Sequence, residues 1–190
     1  ELRGNESSLA VLVVYLNTSS ALFKNDELPR ETMLENYSNT LEITEKQMAQ
    51  SSNDSRIEKA RETLDKIFDA SGAATCENLI DLYKPRFEKN KDDKELINKI
   101  ITMLEDSKCT DSDLYMQVNI RLNEIAPTAE HAHHLAQLYY EDKKIDKSIQ
   151  YFKQAIKLQD DQEKKAGYYM QLASIAYEDL DDMPTARSYA

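Results

Sequence analysis

Histidines, cysteines and clustered carboxylates are the residues of this chain whose types could carry chemistry. All three histidines, His131, His133 and His134, fall within four positions. His131 and His134 stand three apart and share a helix face, a spacing used in metal sites. No cysteine or further histidine lies at a matching distance, and the adjacent Glu130 points elsewhere. The pattern gives imidazoles facing solvent or a groove, and no metal ligand set. Glu178, Asp179, Asp181 and Asp182 form an acidic cluster. A calcium loop of the EF-hand kind needs acids at alternate positions, then a Gly and a distant Glu. Lacking that Gly, the cluster reads as a solvated turn between helices.

Cys76 and Cys109 are the only cysteines. Cys76 opens one helix, and Cys109 follows the end of the antiparallel helix expected beside it. A bridge between them closes a loop of about 34 residues and contributes about 3.5–4 kcal/mol in the chain-entropy picture. The alternative is two separate buried thiols. If bridged, the chain belongs outside the cytoplasm, in a periplasm or cell envelope; if not, in the cytoplasm. No Gly-rich phosphate loop and no nucleophile elbow occurs. Carboxylates are abundant, but acid–base catalysis needs two in a desolvated cleft with split pKa values. The sequence thus offers no catalytic residue, no cofactor site and no enzyme activity.

Composition narrows the partners. The 190 residues carry only three Gly and four Pro, too few for a turn-rich all-β fold. A formal net charge of −11 argues against nucleic acid, whose phosphates demand a basic surface, and against anionic lipid. The longest apolar run, Leu9 to Leu16, is too short to cross a bilayer. It lacks the basic flank and cleavage site of a signal peptide. The chain opens at Glu1 without Met, so it reads as an excised piece whose targeting signal lies outside it.

The elements that must position these residues are helical. Leu9, Leu12, Val13, Leu16 and Phe23 share a face over 6–25, and Leu34, Tyr37, Leu41 and Met48 do so over 30–50. Ser51-Ser52-Asn53-Asp54 reads as a turn with Asp54 an N-cap. A helix over 55–71 carries Ile57, Ala60, Leu64, Ile67 and Phe68, and Gly72 stops it. Thr75 caps the next, with Leu79, Leu82, Tyr83 and Phe87; its interior Pro85 predicts a kink or an early end. Leu96, Ile100, Ile101 and Leu104 mark another. Thr110-Asp111-Ser112-Asp113 resembles a capping box before Leu114, Val118, Leu122 and Ile125.

From Ala129 to Gln162 the pattern sharpens into two amphipathic halves about a turn at Asp142-Lys143-Lys144. Ala132, Leu135, Ala136 and Tyr139 recur at helical spacing in the first half, and Ser148, Ile149, Phe152, Ala155 and Ile156 in the second. Small Ala136, Ser148 and Ala155 sit where two helices approach closely. This stretch resembles a tetratricopeptide repeat, a helix–turn–helix unit of about 34 residues. Leu135-Ala136 take the place of the family's Leu-Gly pair, Tyr139 of its Tyr, Ser148 of its small residue, and Phe152 and Ala155 of the aromatic and Ala that follow. Ala132 stands where the family usually has Trp, and Asp160 where it often has Pro.

The resemblance implies an all-α fold of antiparallel helix pairs stacked as a right-handed α-α superhelix. Degenerate units are expected over 60–93 and 94–128, the clear one over 129–162, and a truncated one over 166–190. Residues 1–59 are expected as a helical hairpin packed on the array. The implied function is a protein–protein interaction scaffold that binds a partner peptide or helix in a concave groove lined by first helices. The repeat phase puts Glu130, His133, Gln137, Tyr140 and Glu141 there, with Met170, Ser174 and Tyr177 from the next unit and Glu95, Asn98 and Thr102 from the preceding one. Family members that clamp acidic chaperone tails use Lys, Asn and Arg, so Glu130, His133 and Gln137 exclude that ligand. The alternative is a bacterial-envelope helical-repeat protein assisting glycan binding or uptake; eleven Tyr favour it and the absence of Trp opposes it. Ala186 is expected to begin the last helix, leaving Leu172, Ile175 and Ala176 uncovered and able to form a weak homodimer through the C-terminal edge.

Overall fold

The computed structural model describes residues 2–50 and 55–189, with the side chains of 2–8, 48 and 49 outside that description. The turn expected at Ser51–Asp54, and Met48 of the expected stripe, fall outside it. Among the described residues there are ten α-helices and no strand. They are α1 (Leu2–Lys24), α2 (Arg30–Gln50), α3 (Ser55–Ala70), α4 (Cys76–Lys89) and α5 (Lys94–Asp106), then α6 (Asp113–Ile125), α7 (Ala129–Glu141), α8 (Ile145–Leu158), α9 (Gln162–Glu178) and α10 (Met183–Tyr189). The fold is all-α. No helix of the described residues is long and apolar enough to cross a membrane.

The chain divides into two compact units, residues 1–86 and 87–190. In the first, α1, α2 and α3 pack against one another. Leu16, Met33, Tyr37, Leu41, Leu64 and Phe68 are fully buried there. Tyr37 stacks on Phe68 with ring centroids 4.0 Å apart, and its hydroxyl donates to Asp65. Burial, with Tyr83 and Asp65 close by, holds the Tyr37 hydroxyl well above the usual phenol range. Arg86 ties α4 to α2, donating to the Ser38 carbonyl at 2.8 Å and to Glu45 Oε1 at 3.2 Å.

Helix α4 runs through Pro85 to Lys89, not ending early as the interior proline predicted. Proline removes the bond to the carbonyl four residues back, that of Asp81. Both Asp81 and Pro85 lie on the exposed side of the helix, where water can satisfy that carbonyl.

In the second unit, α5 packs on α6, α6 on α7, α7 on α8, α8 on α9 and α9 on α10. Side-chain caps start the helices: Asp93 for α5, Ser112 for α6, Thr128 for α7 and Asp161 for α9. Left-handed residues stop them. Lys143 adopts φ 60°, and the Lys144 amide donates back to the Tyr139 carbonyl at 2.9 Å, closing α7 at the expected turn. Lys108 closes α5 in the same way.

Ala132, Ala136, Ser148 and Ala155 are completely buried where α7 and α8 meet. Ser148 Oγ donates to the Ala136 carbonyl at 2.8 Å. Such small residues let two backbones approach, and larger neighbours fill the flanks.

The C-terminal end departs from expectation. α10 begins at Met183, three residues before Ala186, because Asp182 caps it by accepting from the Thr185 amide and hydroxyl. Leu172, Ile175 and Ala176 are buried, 1 %, 4 % and 2 % exposed, so the edge expected to be bare is covered. Leu172 and Ile175 pack with Ala136 and Phe152, and Tyr189 of α10 packs against that cluster. No free thiol occurs among the described residues.

Ser148, wholly buried at the α7–α8 contact, is a direct position at which to test that contact. Ser148→Ala removes one buried hydrogen bond and is expected to cost about 1 kcal/mol. Ser148→Leu must force α7 and α8 apart and is expected to cost about 2–3 kcal/mol. Urea unfolding of the three proteins measures both values. Equal stability of the leucine variant would mean that these helices do not approach through this residue.

Candidate functional site

The groove residues expected from the sequence lie on α5, α7 and α9. Four of them, Gln137, Tyr140 and Glu141 from α7 and Ser174 from α9, line one cavity of about 240 Å³. Gln171, Phe152 and Ile175 complete its lining. Phe152 and Ile175 are buried and form an apolar floor, while the two glutamines, Ser174 and Glu141 give it a polar rim. The floor exists because α8 is drawn tight against α7, which fixes Phe152 beneath the α7–α9 gap.

Hydrogen bonds and ion pairs hold the two helices in register. His133 Nε2 lies 2.9 Å from Gln171 Oε1, which makes that nitrogen the donor. The His133 ring stacks on Tyr168 with centroids 4.6 Å apart and meets Phe152 edge-on at 5.6 Å. Lys164 reaches Glu130 at 3.4 Å. The carboxyl of Glu130 is held below its ordinary range by a hydrogen bond to its own backbone amide, with Lys164 adding to it. Glu130 and His133 thus join the helices and stand outside the cavity lining.

Met170 and Tyr177 are 70 % and 56 % exposed and are not among the lining residues. The buried side of α9 carries Tyr168, Leu172, Ile175 and Ala176. At 100° per residue, Gln171 flanks that side, while Ser174, Met170 and Tyr177 lie on the outer face. Glu95, Asn98 and Thr102 of α5 are exposed.

Sequence reasoning did not find Gln171 or the role of Asp179. Gln171 follows Gly167 and precedes Ser174 at helical spacing, which was a usable signal once the buried stripe of α9 was fixed. Asp179 sits in the acidic turn. Its carboxylate, close to the Tyr140 hydroxyl, raises the Tyr140 pKa, with Glu178 contributing.

The three histidines are turned apart by separate partners. His131 Nδ1 donates to the Ala126 carbonyl at 2.8 Å, closing the end of α6. His134 Nε2 lies 2.9 Å from the Tyr115 hydroxyl, which is itself 2.6 Å from Glu105 Oε1. A phenol has one proton to give, and it goes to the carboxylate, so His134 Nε2 is the donor to Tyr115. Among the described residues no group of three His, Cys, Asp or Glu side chains could hold a metal ion.

No protein-family model matches the chain, and comparison with curated proteins finds no match.

Burial lowers the His134 pKa below the ordinary 6.5, against the opposing pull of Glu105 and Glu141. The folded state therefore favours the neutral ring. Its contribution to stability is complete above about pH 6.5 and is lost as pH falls through the lower folded value. Thermal unfolding between pH 7 and 5 is expected to show a shallower loss for His134→Gln than for the native chain. Parallel profiles would show that this ring is not the group responsible.

Proposed function

We propose that residues 87–190 form a tetratricopeptide-like array that works as a protein–protein interaction scaffold. It holds a peptide or a helix of a partner against the face shared by α7 and α9. The observation that carries this reading is the cavity between the first helices of two successive helix pairs, with an apolar floor and a rim of hydrogen-bonding side chains. A partner side chain inserted there buries apolar area on Phe152 and Ile175, and neighbouring peptide groups meet Gln137, Gln171 and Ser174. Larger ligands fit less well, since sites for drug-sized molecules run to about 300–1,000 Å³. Net charge −11 supports a protein partner over nucleic acid.

That neither cysteine is a free thiol supports residence in an oxidising compartment such as a cell envelope. One observation favours the glycan-binding alternative: Tyr169 and Tyr177 are exposed on α9, where a sugar ring could stack. A homodimer through the C-terminal edge has lost its basis with the burial of Leu172, Ile175 and Ala176.

Selection from a displayed random-peptide library tests the reading. Enriched peptides are expected to bind the full chain and to lose about tenfold in affinity, some 1.4 kcal/mol, with Tyr140→Ala at unchanged helicity. Peptides that bind Tyr140→Ala as tightly as the native chain would place the binding face elsewhere. Glycan-array binding without any enriched peptide would favour the alternative.

A further inference from the structure

The chemistry of the α7–α9 cavity selects among possible partner side chains. Glu141 lines it and makes no ion pair with any described residue. Asp179 and Glu178 lie beside Tyr140, on the α9 side of the same mouth. Lys143 lies over the Tyr140 ring, its Nζ 5.6 Å from the centroid, and makes no ion pair with Glu141. A cation therefore already rests on the aromatic face at this mouth, as the ring quadrupole favours. Below the mouth, Phe152 and Ile175 offer only apolar surface.

From these features we propose that the cavity is a recognition subsite for an arginine side chain of the partner peptide. The inference rests on the scaffold reading above and names the ligand class at its centre. The three methylenes of arginine lie on Phe152 and Ile175, as long cationic side chains lie on apolar surface while keeping the charge at the edge. The guanidinium then reaches Glu141, whose carboxylate oxygens match its planar fork. Gln137 and Ser174 accept from its remaining N–H groups. An acidic side chain would meet unpaired carboxylates instead. A purely apolar side chain would fill the floor but leave Glu141 and the amide rim without partners. The volume, about 240 Å³, suits one long side chain and no more.

The probe is N-acetyl-arginine methylamide, titrated into the isotope-labelled full chain and followed by backbone amide shifts. N-acetyl-norleucine methylamide, which keeps the stem and lacks the charge, is the comparison. The arginine compound is expected to shift the Gln137, Tyr140, Glu141 and Ser174 amides saturably, with Kd on the order of 1 mM. Glu141→Gln, on an exposed position, is expected to weaken it roughly fivefold with the remaining spectrum unchanged. Equal binding of norleucine, no saturable shift, or an unaltered affinity in Glu141→Gln each overturns the assignment. Its failure is separable from failure of the scaffold reading. Selected peptides that need Tyr140 but tolerate loss of every arginine would sink the subsite and leave the groove standing. Peptides indifferent to Tyr140 would remove the groove itself.

Discussion

The close approach of α7 and α8 is the constraint on which the second unit depends. Ala132, Ala136, Ser148 and Ala155 leave no room for a larger side chain at that contact, and each is wholly buried. The Ser148 hydroxyl donates to the Ala136 carbonyl, so the buried polar group is not left unsatisfied there. With the two backbones drawn together, Phe152 is pushed outward beside Leu172 and Ile175 of α9. The same ring that closes the core of this helix pair thereby becomes the floor of the cavity. Packing and site are one arrangement, because interiors are packed densely enough that moving α8 moves Phe152.

Polar contacts then set the register of α9 against α7. The His133–Gln171 bond ties α9 to α7 beside the cavity, and Asp179 lies close to the Tyr140 hydroxyl. Each contact draws on a side chain that sequence chemistry alone would class as metal-capable, acidic or merely exposed. What remains unpaired is Glu141, a carboxylate beside an apolar floor on a strongly acidic chain.

The helices were legible in the sequence wherever an apolar stripe coincided with a cap. Thr75 caps α4, accepting from the Asn78 amide at 3.3 Å, and Gly72 takes φ 80° at the end of α3. Small residues at 136, 148 and 155 announced the α7–α8 contact. Pro85 did not end α4 early, because its cost depends on which side of the helix the orphaned carbonyl faces, and spacing alone does not weigh that. The start of α10 was missed because Asp182 was read as part of a solvated turn, whereas it caps a helix. For the cavity, repeat phase gave Gln137, Tyr140 and Glu141 of α7, whereas Glu130 and His133 lie outside its lining and α9 could not be placed by phase alone. Its rotation is fixed by Tyr168, Leu172, Ile175 and Ala176, which turn Gln171 toward the cavity and Met170 and Tyr177 away from it. The likeness to a tetratricopeptide repeat rests on the same residues that make the α7–α8 contact, and it carries no more than that contact supports.

A crystal structure of the full chain bound to a selected peptide tests the central claim most directly. The expected result is a peptide crossing α7 and α9, with one side chain seated between Gln137, Tyr140 and Ser174 on the Phe152 ring and the Ser148–Ala136 bond intact. A peptide bound to another face, or a complex in which α7 and α8 have separated and Phe152 no longer underlies the cavity, would contradict it.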